Sequence, residues 1–249
     1  MEMVRQISRF VPVKMLVSAS CFTILKCLTS LWATTLSQRT TIRELNGLVH
    51  AFIASYLSIN AFLSKPALLD DLITTTNTWA ENCISISTGY FLADTLIITY
   101  QWIKNRGKGD SGLNINILFH HLAAFGAFYY ALCSEMFMGY STMCLLLEVS
   151  SILLKARKIW KINTYPCIGD TRYHLLAIVN IILFIIFRLF VIIFAIDWWP
   201  KNINRLPLLY TALPFSGSIV VGVINIRYFH LLLKSDIIPM LKSIKSKSG

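Results

Sequence analysis

Two adjacent histidines, His120 and His121, stand inside an otherwise apolar segment that runs from Leu118 to Phe125. Histidine exchanges protons near neutral pH and acts as a base, an acid or a nucleophile when a second group orients it. Ionisable side chains inside a membrane segment are costly and need polar partners. The pair is therefore the main chemical clue in the chain, and we predict both histidines as candidate catalytic residues.

The acidic residues of the apolar segments are the natural partners for this pair. Glu148 is the best candidate to orient a histidine, and we predict it as the third catalytic residue. Asp94 is a second carboxylate that could pair with Arg188 or Arg227, although such a pair can also be a buried salt bridge with a structural role only. The chain contains no HxxxH, HxxHH or HExxH spacing, so we predict no metal site and no cofactor.

The composition indicates an integral membrane protein. Of the 249 residues, 55% are hydrophobic and only 14% are charged, whereas soluble domains carry roughly a quarter of charged residues. The net charge of +11 comes from short basic clusters between apolar runs, which is the pattern of cytoplasmic loops. Because no nucleic-acid-binding motif accompanies this charge, we predict no nucleic-acid partner.

The six cysteines form no CxxC pair, and a disulfide between Cys83 and Cys133 remains open.

Seven apolar runs predict an all-α, multi-pass transmembrane helix bundle with about seven spans, since roughly 20 residues cross a bilayer. The runs are 13–34, 42–64, 83–103, 113–132, 138–154, 172–196 and 207–233. Lys14 and Lys26 interrupt the first run, which is a span, a signal-anchor or a cleaved signal peptide. The fifth run is short. Residues 197–206 are read as a loop, with Trp198 and Trp199 in an interfacial aromatic belt.

The basic residues also predict the orientation of the bundle. If all seven runs span the membrane, fourteen lysines and arginines fall on one side and six on the other. The more basic side is the cytoplasmic one by the positive-inside rule. We therefore predict an amino terminus outside and a carboxyl terminus in the cytoplasm.

Polar residues of the last six runs fall at a similar depth. With a rise of about 1.5 Å per residue, most of them lie roughly 9 to 12 Å from the cytoplasmic end of their run. Polar groups at one depth favour a cavity inside the bundle, although interhelical hydrogen bonds that only hold the bundle together are the alternative. We predict a site in which the histidine pair and Glu148 are supported by His50, Asp94, Asn180, Arg188, Asn225 and Arg227.

Four motifs together resemble the TLC-domain family, which includes the ceramide synthases. They are Gly89-Tyr90-Phe91-Leu92-Ala93-Asp94-Thr95, His120-His121 with Gly126-Ala127-Phe128, Leu147-Glu148-Val149-Ser150-Ser151-Ile152, and Phe187-Arg188-Leu189. Their order is most similar to that of the branch called TLC domain-containing proteins one and two. The resemblance divides the chain into an N-terminal segment (1–41) with the weak first span, a TLC domain (42–236) and a basic C-terminal tail (237–249).

The resemblance implies a core of six TLC helices around a lipid-accessible cavity, with the histidine pair on its wall. In the ceramide synthases this pair is catalytic for acyl transfer from an acyl thioester to a sphingoid amine. Their further aspartates, about one helix later, are matched here only by Glu148, because Ser151 and Ile152 occupy the region of the second. An acyltransferase of the ceramide-synthase type, which would use acyl-CoA as co-substrate, is therefore an alternative.

The similar branch is associated with membrane fluidity and with the acyl composition of phospholipids. It implies a regulator of both, acting through an intramembrane lipid-binding or acyl-transfer site on membrane lipids, phospholipids in particular. A lipid transporter or a trafficking chaperone is a further alternative, and the oligomeric state is left open. The branch favours the plasma membrane. The tail Lys245-Ser246-Lys247-Ser248-Gly249 resembles a dilysine retrieval signal, so the endoplasmic reticulum is the alternative location.

Overall fold

The computed structural model describes residues 11–31, 35–105, 115–164 and 171–238, which are helical almost throughout and contain no strand. The all-α prediction is confirmed for these residues. Short 3-10 turns (Pro66–Leu68 and Ile203–Arg205) and π-helical turns (Ile185–Phe190 and Leu233–Ile237) interrupt or extend the helices. The α-helices of the described ranges are α1 (Val11–Leu31), α2 (Leu36–Ser64), α3 (Thr78–Asn105), α4 (Ile115–Ser134), α5 (Met138–Leu145), α6 (Leu147–Thr164), α7 (Thr171–Phe184), α8 (Val191–Asn202) and α9 (Leu208–Leu232).

Six helical segments of the described residues are long and apolar enough to cross a membrane, which agrees with a multi-pass protein. They are Ser37–Ser64, Thr78–Lys104, Ile117–Ser134, Met138–Thr164, Thr171–Arg205 and Pro214–Ile237. Helix α1 is not among them, so a seventh span stays a prediction. The fourth of these segments, Met138–Thr164, has 27 residues and extends beyond the fifth apolar run, which ends at Leu154. Lysine and arginine are good helix formers, so the helix continues into the basic residues that end the apolar run.

The helices divide into two compact units. The first unit contains Met1–Trp32 and Ile53–Leu145, and the second contains Ala33–Phe52 and Leu146–Gly249. Helix α2 therefore contributes its first half to the second unit and its second half to the first. The predicted domain limits stay a prediction. Within the first unit, α1 packs along α3.

In the first unit, α1 and α3 run parallel in a single register. Three side-chain contacts join residues that are each 68 positions apart in the chain. The difference between the residue numbers of contacting residues stays constant along two parallel helices, whereas along two antiparallel helices their sum stays constant. The contacts are Lys14 Nζ to Asn82 Oδ1 (2.8 Å), Ser18 Oγ to the carbonyl oxygen of Ile86 (2.8 Å) and Lys26 Nζ to Asp94 Oδ1 (2.6 Å).

Gly89 lets the two helices approach closely between these contacts. A Cβ atom at Gly89 would lie 2.5 Å from the carbonyl oxygen of Met15 and 2.8 Å from the backbone nitrogen of Ala19. Both atoms belong to the backbone of α1, so no side-chain rotation could relieve the overlap. Small residues at such crossings are typical of packed membrane helices.

The second unit contains two buried carboxylates that are tied to basic residues of α6. Glu44 of α2 accepts a hydrogen bond of 2.6 Å from Lys158 Nζ, and Lys155 Nζ lies 4.0 Å from its other carboxylate oxygen. Asp236, in the π-helical turn that follows α9, forms an ion pair with Arg157 and accepts a hydrogen bond of 3.0 Å from the Tyr173 hydroxyl. These contacts attach α2, α7 and the end of α9 to the basic half of α6.

Residues 197–202 are helical rather than a loop, and the Trp199 side chain is buried within the protein. Helix α8 continues through Pro200 to Asn202. The Trp199 side chain is only 1% exposed, and its ring centroid lies 6.1 Å from that of Phe215. A proline disfavours the interior of a helix, but Pro200 lies only two residues from the end of α8, and the apolar contacts of the buried Trp199 side chain favour the helix. The loop prediction is wrong for residues 197–202, and the interfacial belt stays a prediction.

The close crossing at Gly89 predicts that Gly89→Ala destabilises the protein. The added methyl group overlaps backbone atoms of α1, and overpacking of this kind costs about 1–3 kcal/mol. Thermal unfolding of the purified protein in detergent measures the change. Gly126→Ala on α4 is the matched control, because a Cβ there meets no atom within 4 Å. Equal unfolding temperatures for the two variants would contradict the close approach of α1 and α3 at Gly89.

Candidate functional site

The histidine pair lies on α4 and contacts the buried carboxylate of Asp94 on α3. His121 Nδ1 is 2.9 Å from Asp94 Oδ2, and the two side chains are 13% and 9% exposed. The other carboxylate oxygen, Oδ1, accepts a hydrogen bond of 2.6 Å from Lys26 Nζ of α1. The three side chains form a cluster, which we call the Lys26–Asp94–His121 triad, entirely within the first unit.

Aromatic rings of α3 surround the two imidazoles. The ring centroid of Phe91 lies 5.1 Å from that of His121 and 6.3 Å from that of His120, and the Tyr90 ring lies 6.0 Å from His121. These rings come from the turn that precedes Asp94, so one helix supplies both the carboxylate and the apolar walls. The flanking α4 residues Phe119 and Leu122 are exposed. The histidines thus face α3 while their neighbours on α4 face away from the protein.

This arrangement is suited to proton exchange by His121. A carboxylate beside one ring nitrogen orients an imidazole and selects the nitrogen that is available for chemistry. Because Asp94 engages Nδ1, exchange with a bound group falls to Nε2. The His120 ring is tilted against that of His121, with 5.6 Å between ring centroids.

The partners of Asp94 differ from the two arginines considered for it in the sequence. Arg188 and Arg227 were its candidate partners, but it pairs with Lys26 and His121. Lys26 was not predicted as a site residue at all, because it was read only as an interruption of the first apolar run. The signal that would have found it is the cost of an unpaired lysine in an apolar helix.

Glu148 belongs to the second unit and lies near cationic groups there. The groups close enough to interact with its charge are His50, Arg188 and Lys155. The role predicted for Glu148, orientation of a histidine of the 120–121 pair, stays a prediction. Within its own unit, Glu148 shares its surroundings with His50, which is almost completely buried.

Arg188 is the centre of this second polar cluster. Its Nε donates a hydrogen bond of 2.7 Å to the Ser150 hydroxyl, Nη2 donates one of 2.6 Å to Ser151, and Nη1 donates one of 2.6 Å to the Asn225 side-chain oxygen. The planar guanidinium holds donors in a fixed fork, so three partners on α6 and α9 restrict its position strongly. Arg188 lies in the π-helical turn Ile185–Phe190, and turns of this kind often re-aim a side chain at functional sites.

The remaining predicted layer residues divide into buried and exposed ones. Asn225 is buried, whereas Arg227 is exposed. Two residues that are two positions apart on a helix do not share a face, so Arg227 does not lie beside Asn225, and its predicted role in the layer stays a prediction. Asn180 is completely buried, and neither of its side-chain amide atoms has a hydrogen-bond partner.

The described residues contain no group of three or more His, Cys, Asp or Glu side chains placed to hold a metal ion. The absence of a metal and of a cofactor stays a prediction. Cys83 and Cys133 are both free thiols, which answers the question of a disulfide between them. The buried thiol of Cys83 instead donates to the carbonyl oxygen of Ala54, 3.4 Å away.

Comparison with known proteins gives matches over most of the chain. The family model described as the TLC domain matches residues 45–234. TLC domain-containing protein 2 of Danio rerio is 25% identical over 189 residues, which cover 76% of this chain and 73% of the relative. TLC domain-containing protein 1 of Homo sapiens is 26% identical over 196 residues, which cover 76% and 72%. No solved structure matches the chain significantly.

The three hydrogen bonds of Arg188 predict a specific loss of stability in Arg188→Lys. A lysine keeps the charge but presents one nitrogen instead of three, so buried polar partners lose their donors at a cost of about 1–3 kcal/mol. Thermal unfolding of the purified protein checks this value. Arg227→Lys on exposed α9 surface is the matched control and is expected to change stability by less than about 0.5 kcal/mol. A comparable loss in both variants would mean that the hydrogen bonds contribute nothing.

Proposed function

Because the chain belongs to the TLC domain family, which is linked to lipid metabolism or sensing, we propose that it regulates the acyl composition of membrane phospholipids. It does so through an intramembrane lipid site, and membrane fluidity changes with the acyl chains that the site selects. The names of its relatives specify only the TLC domain. The proposal therefore depends on the chemistry of the residues.

The observation that carries this proposal is the contact between His121 and Asp94. One imidazole nitrogen of His121 lies 2.9 Å from the carboxylate, and its helix is long and apolar enough to cross a membrane. Such an imidazole can exchange protons with a lipid bound beside it. Ionisable groups inside a membrane are costly and mark functional sites in membrane proteins. The tilted aromatic rings of Tyr90 and Phe91 supply an apolar wall for an acyl chain.

The site has two modes of action that differ in their products. In the binding mode, the imidazoles hydrogen-bond a polar group of a lipid and no covalent bond changes. In the transfer mode, His121 Nε2 removes the proton of an acceptor hydroxyl, which attacks the carbonyl carbon of an acyl thioester such as acyl-CoA. The new C–O bond forms as the C–S bond breaks, and the proton passes from the imidazole to the departing thiolate.

We expect the histidine and its carboxylate to be required together. His121→Ala removes the exchanging group and Asp94→Asn removes its charged partner, so each variant should reduce the effect on phospholipid acyl composition to that of cells without the protein. Mass spectrometry of phospholipids from cells with matched protein levels measures this. His230→Ala, an exposed histidine of α9, is the control and keeps the wild-type profile. An unchanged profile in both site variants would reject the site.

A turnover assay separates the two modes. Purified protein in nanodiscs is supplied with acyl-CoA and a lysophospholipid, and the formation of diacyl phospholipid and free CoA is measured. Product formation that depends on His121 identifies the transfer mode. Phospholipid that copurifies with the wild type but not with His121→Ala, without turnover, identifies the binding mode.

The proposed location is the plasma membrane with the carboxyl terminus in the cytoplasm. Its support is the charge difference between the loops, which places the more basic side inside. The dilysine-like residues Lys245 and Lys247 lie outside the described residues. A basic tail also contacts anionic lipids directly, so their presence does not require a retrieval receptor.

Replacement of both lysines tests the location. In the double variant Lys245→Ser, Lys247→Ser, we expect an unchanged plasma-membrane signal, because no receptor reads the tail. Fluorescence microscopy of a protein tagged in an extramembrane loop measures the distribution. Movement from the endoplasmic reticulum to the cell surface in the double variant would favour retrieval instead.

A further inference from the structure

We propose that Lys26 is a positioning residue of the lipid site: it holds the Asp94 carboxylate against His121 Nδ1, so that Nε2 can accept a hydrogen bond from a lipid hydroxyl. This inference rests on the proposed function, because it concerns the same histidine. Lys26 belongs to α1, which precedes the residues 45–234 matched by the TLC domain. The proposal thus gives a role at the site to a helix outside the matched region.

The two oxygens of the Asp94 carboxylate have different partners. Oδ1 accepts from Lys26 of α1, and Oδ2 faces His121 of α4. A carboxylate engaged on both oxygens by side chains from two other helices cannot rotate freely about its last bond. Without Lys26, Oδ1 would lose its partner and the carboxylate would no longer be held in one orientation against the imidazole.

The position of Lys26 follows from the packing of the whole helix. Lys14 and Ser18 contact α3 in the same register as Lys26 does, and Gly89 allows the backbones to meet between these contacts. Lys26 is 8% exposed. Its ammonium group therefore reaches Asp94 because α1 is fixed along α3, and not because a flexible side chain happens to lie there.

The charges of the triad determine which ligand it accepts. The positive charge of Lys26 and the negative charge of Asp94 cancel, so the triad with a neutral imidazole has no net charge. An anionic group buried beside it would lack a counter-charge, and such burial is costly. A neutral imidazole whose Nδ1–H faces the carboxylate has only the Nε2 lone pair left, so its ligand must donate a hydrogen bond, and a hydroxyl does so without that cost. We therefore assign a lipid hydroxyl, rather than a phosphate or a free carboxylate, to the position beside His121.

Two probes with the same chain distinguish these groups. One is a fatty acid that carries a photoactivatable diazirine in its chain, and the other is the fatty alcohol with the same chain. Each is added to the full-length protein in nanodiscs of phosphatidylcholine, and labelling of α3 and α4 is quantified by peptide mass spectrometry. The ratio of alcohol to acid labelling reports the charge of the site independently of the amount of folded protein.

The variants separate the charge of the site from the position of the carboxylate. The wild type should label with the alcohol at least about tenfold more than with the acid. Asp94→Asn leaves the Lys26 cation unpaired and should reverse the preference toward the acid. The double variant Lys26→Met, Asp94→Asn restores neutrality and should restore the preference for the alcohol. Lys26→Met alone leaves the Asp94 anion, which also repels the acid, so it should keep the preference for the alcohol.

A second readout separates a positioning role from a structural one. Lys26→Met should abolish the effect on phospholipid composition, and the neutral double variant should recover thermal stability without recovering that effect. Recovery of the lipid effect in the double variant would mean that the ion pair only holds the fold. Lys14→Met is the matched control, because Lys14 also joins α1 to α3 but is exposed; it should keep both the ratio and the lipid effect.

The outcomes also separate this inference from the proposed function. If Lys26→Met keeps the effect on phospholipid composition while His121→Ala loses both that effect and the labelling, Lys26 has no positioning role and the lipid site stands. If His121→Ala labels as the wild type does, the lipid site itself is not at the histidine pair.

Discussion

The ion pair between Lys26 and Asp94 is the interaction on which the first unit depends. A buried carboxylate in an apolar helix is stable only when a cation or several hydrogen-bond donors compensate it. Lys26 supplies that compensation, and its backbone position requires the parallel contact of α1 with α3 and the missing side chain at Gly89. The same carboxylate then orients His121. Helix packing, charge compensation and the chemistry of the candidate site thus depend on one pair of side chains.

The second unit meets the same constraint with other residues. Glu44 is paired with lysines of α6, Asp236 with Arg157, and Arg188 with three neutral oxygens. Each of these charged groups is compensated by partners within its own unit. Hydrogen bonds between side chains of different helices restrict how those helices can move past one another, so the polar clusters give the bundle a defined packing that apolar contacts alone would leave less specific.

The polar residues of the apolar runs were recognisable in the sequence, but their partners were not. The sequence predicted that His120, His121 and Asp94 belong to a costly intramembrane set, and the structure brings Asp94 and His121 into contact. It also predicted an arginine as the partner of Asp94, and the partner is Lys26. Depth along a helix can be counted from the sequence, whereas the direction in which a residue points around the helix depends on which neighbour it packs against. Arg227 shows this, since it lies two residues from buried Asn225 and is exposed.

The sequence by itself determined the class of the protein: apolar runs of membrane-spanning length, basic clusters between them and a histidine pair in one of them. Those features are local, because hydrophobicity and charge act on each segment separately. Only the tertiary structure decided that α1 is parallel to α3, that Lys26 reaches Asp94 and that residues 197–202 remain helical. These outcomes depend on contacts between residues far apart in the chain, 68 positions in the case of Lys26 and Asp94. Such contacts form, and contribute to stability, only when the helices are packed together.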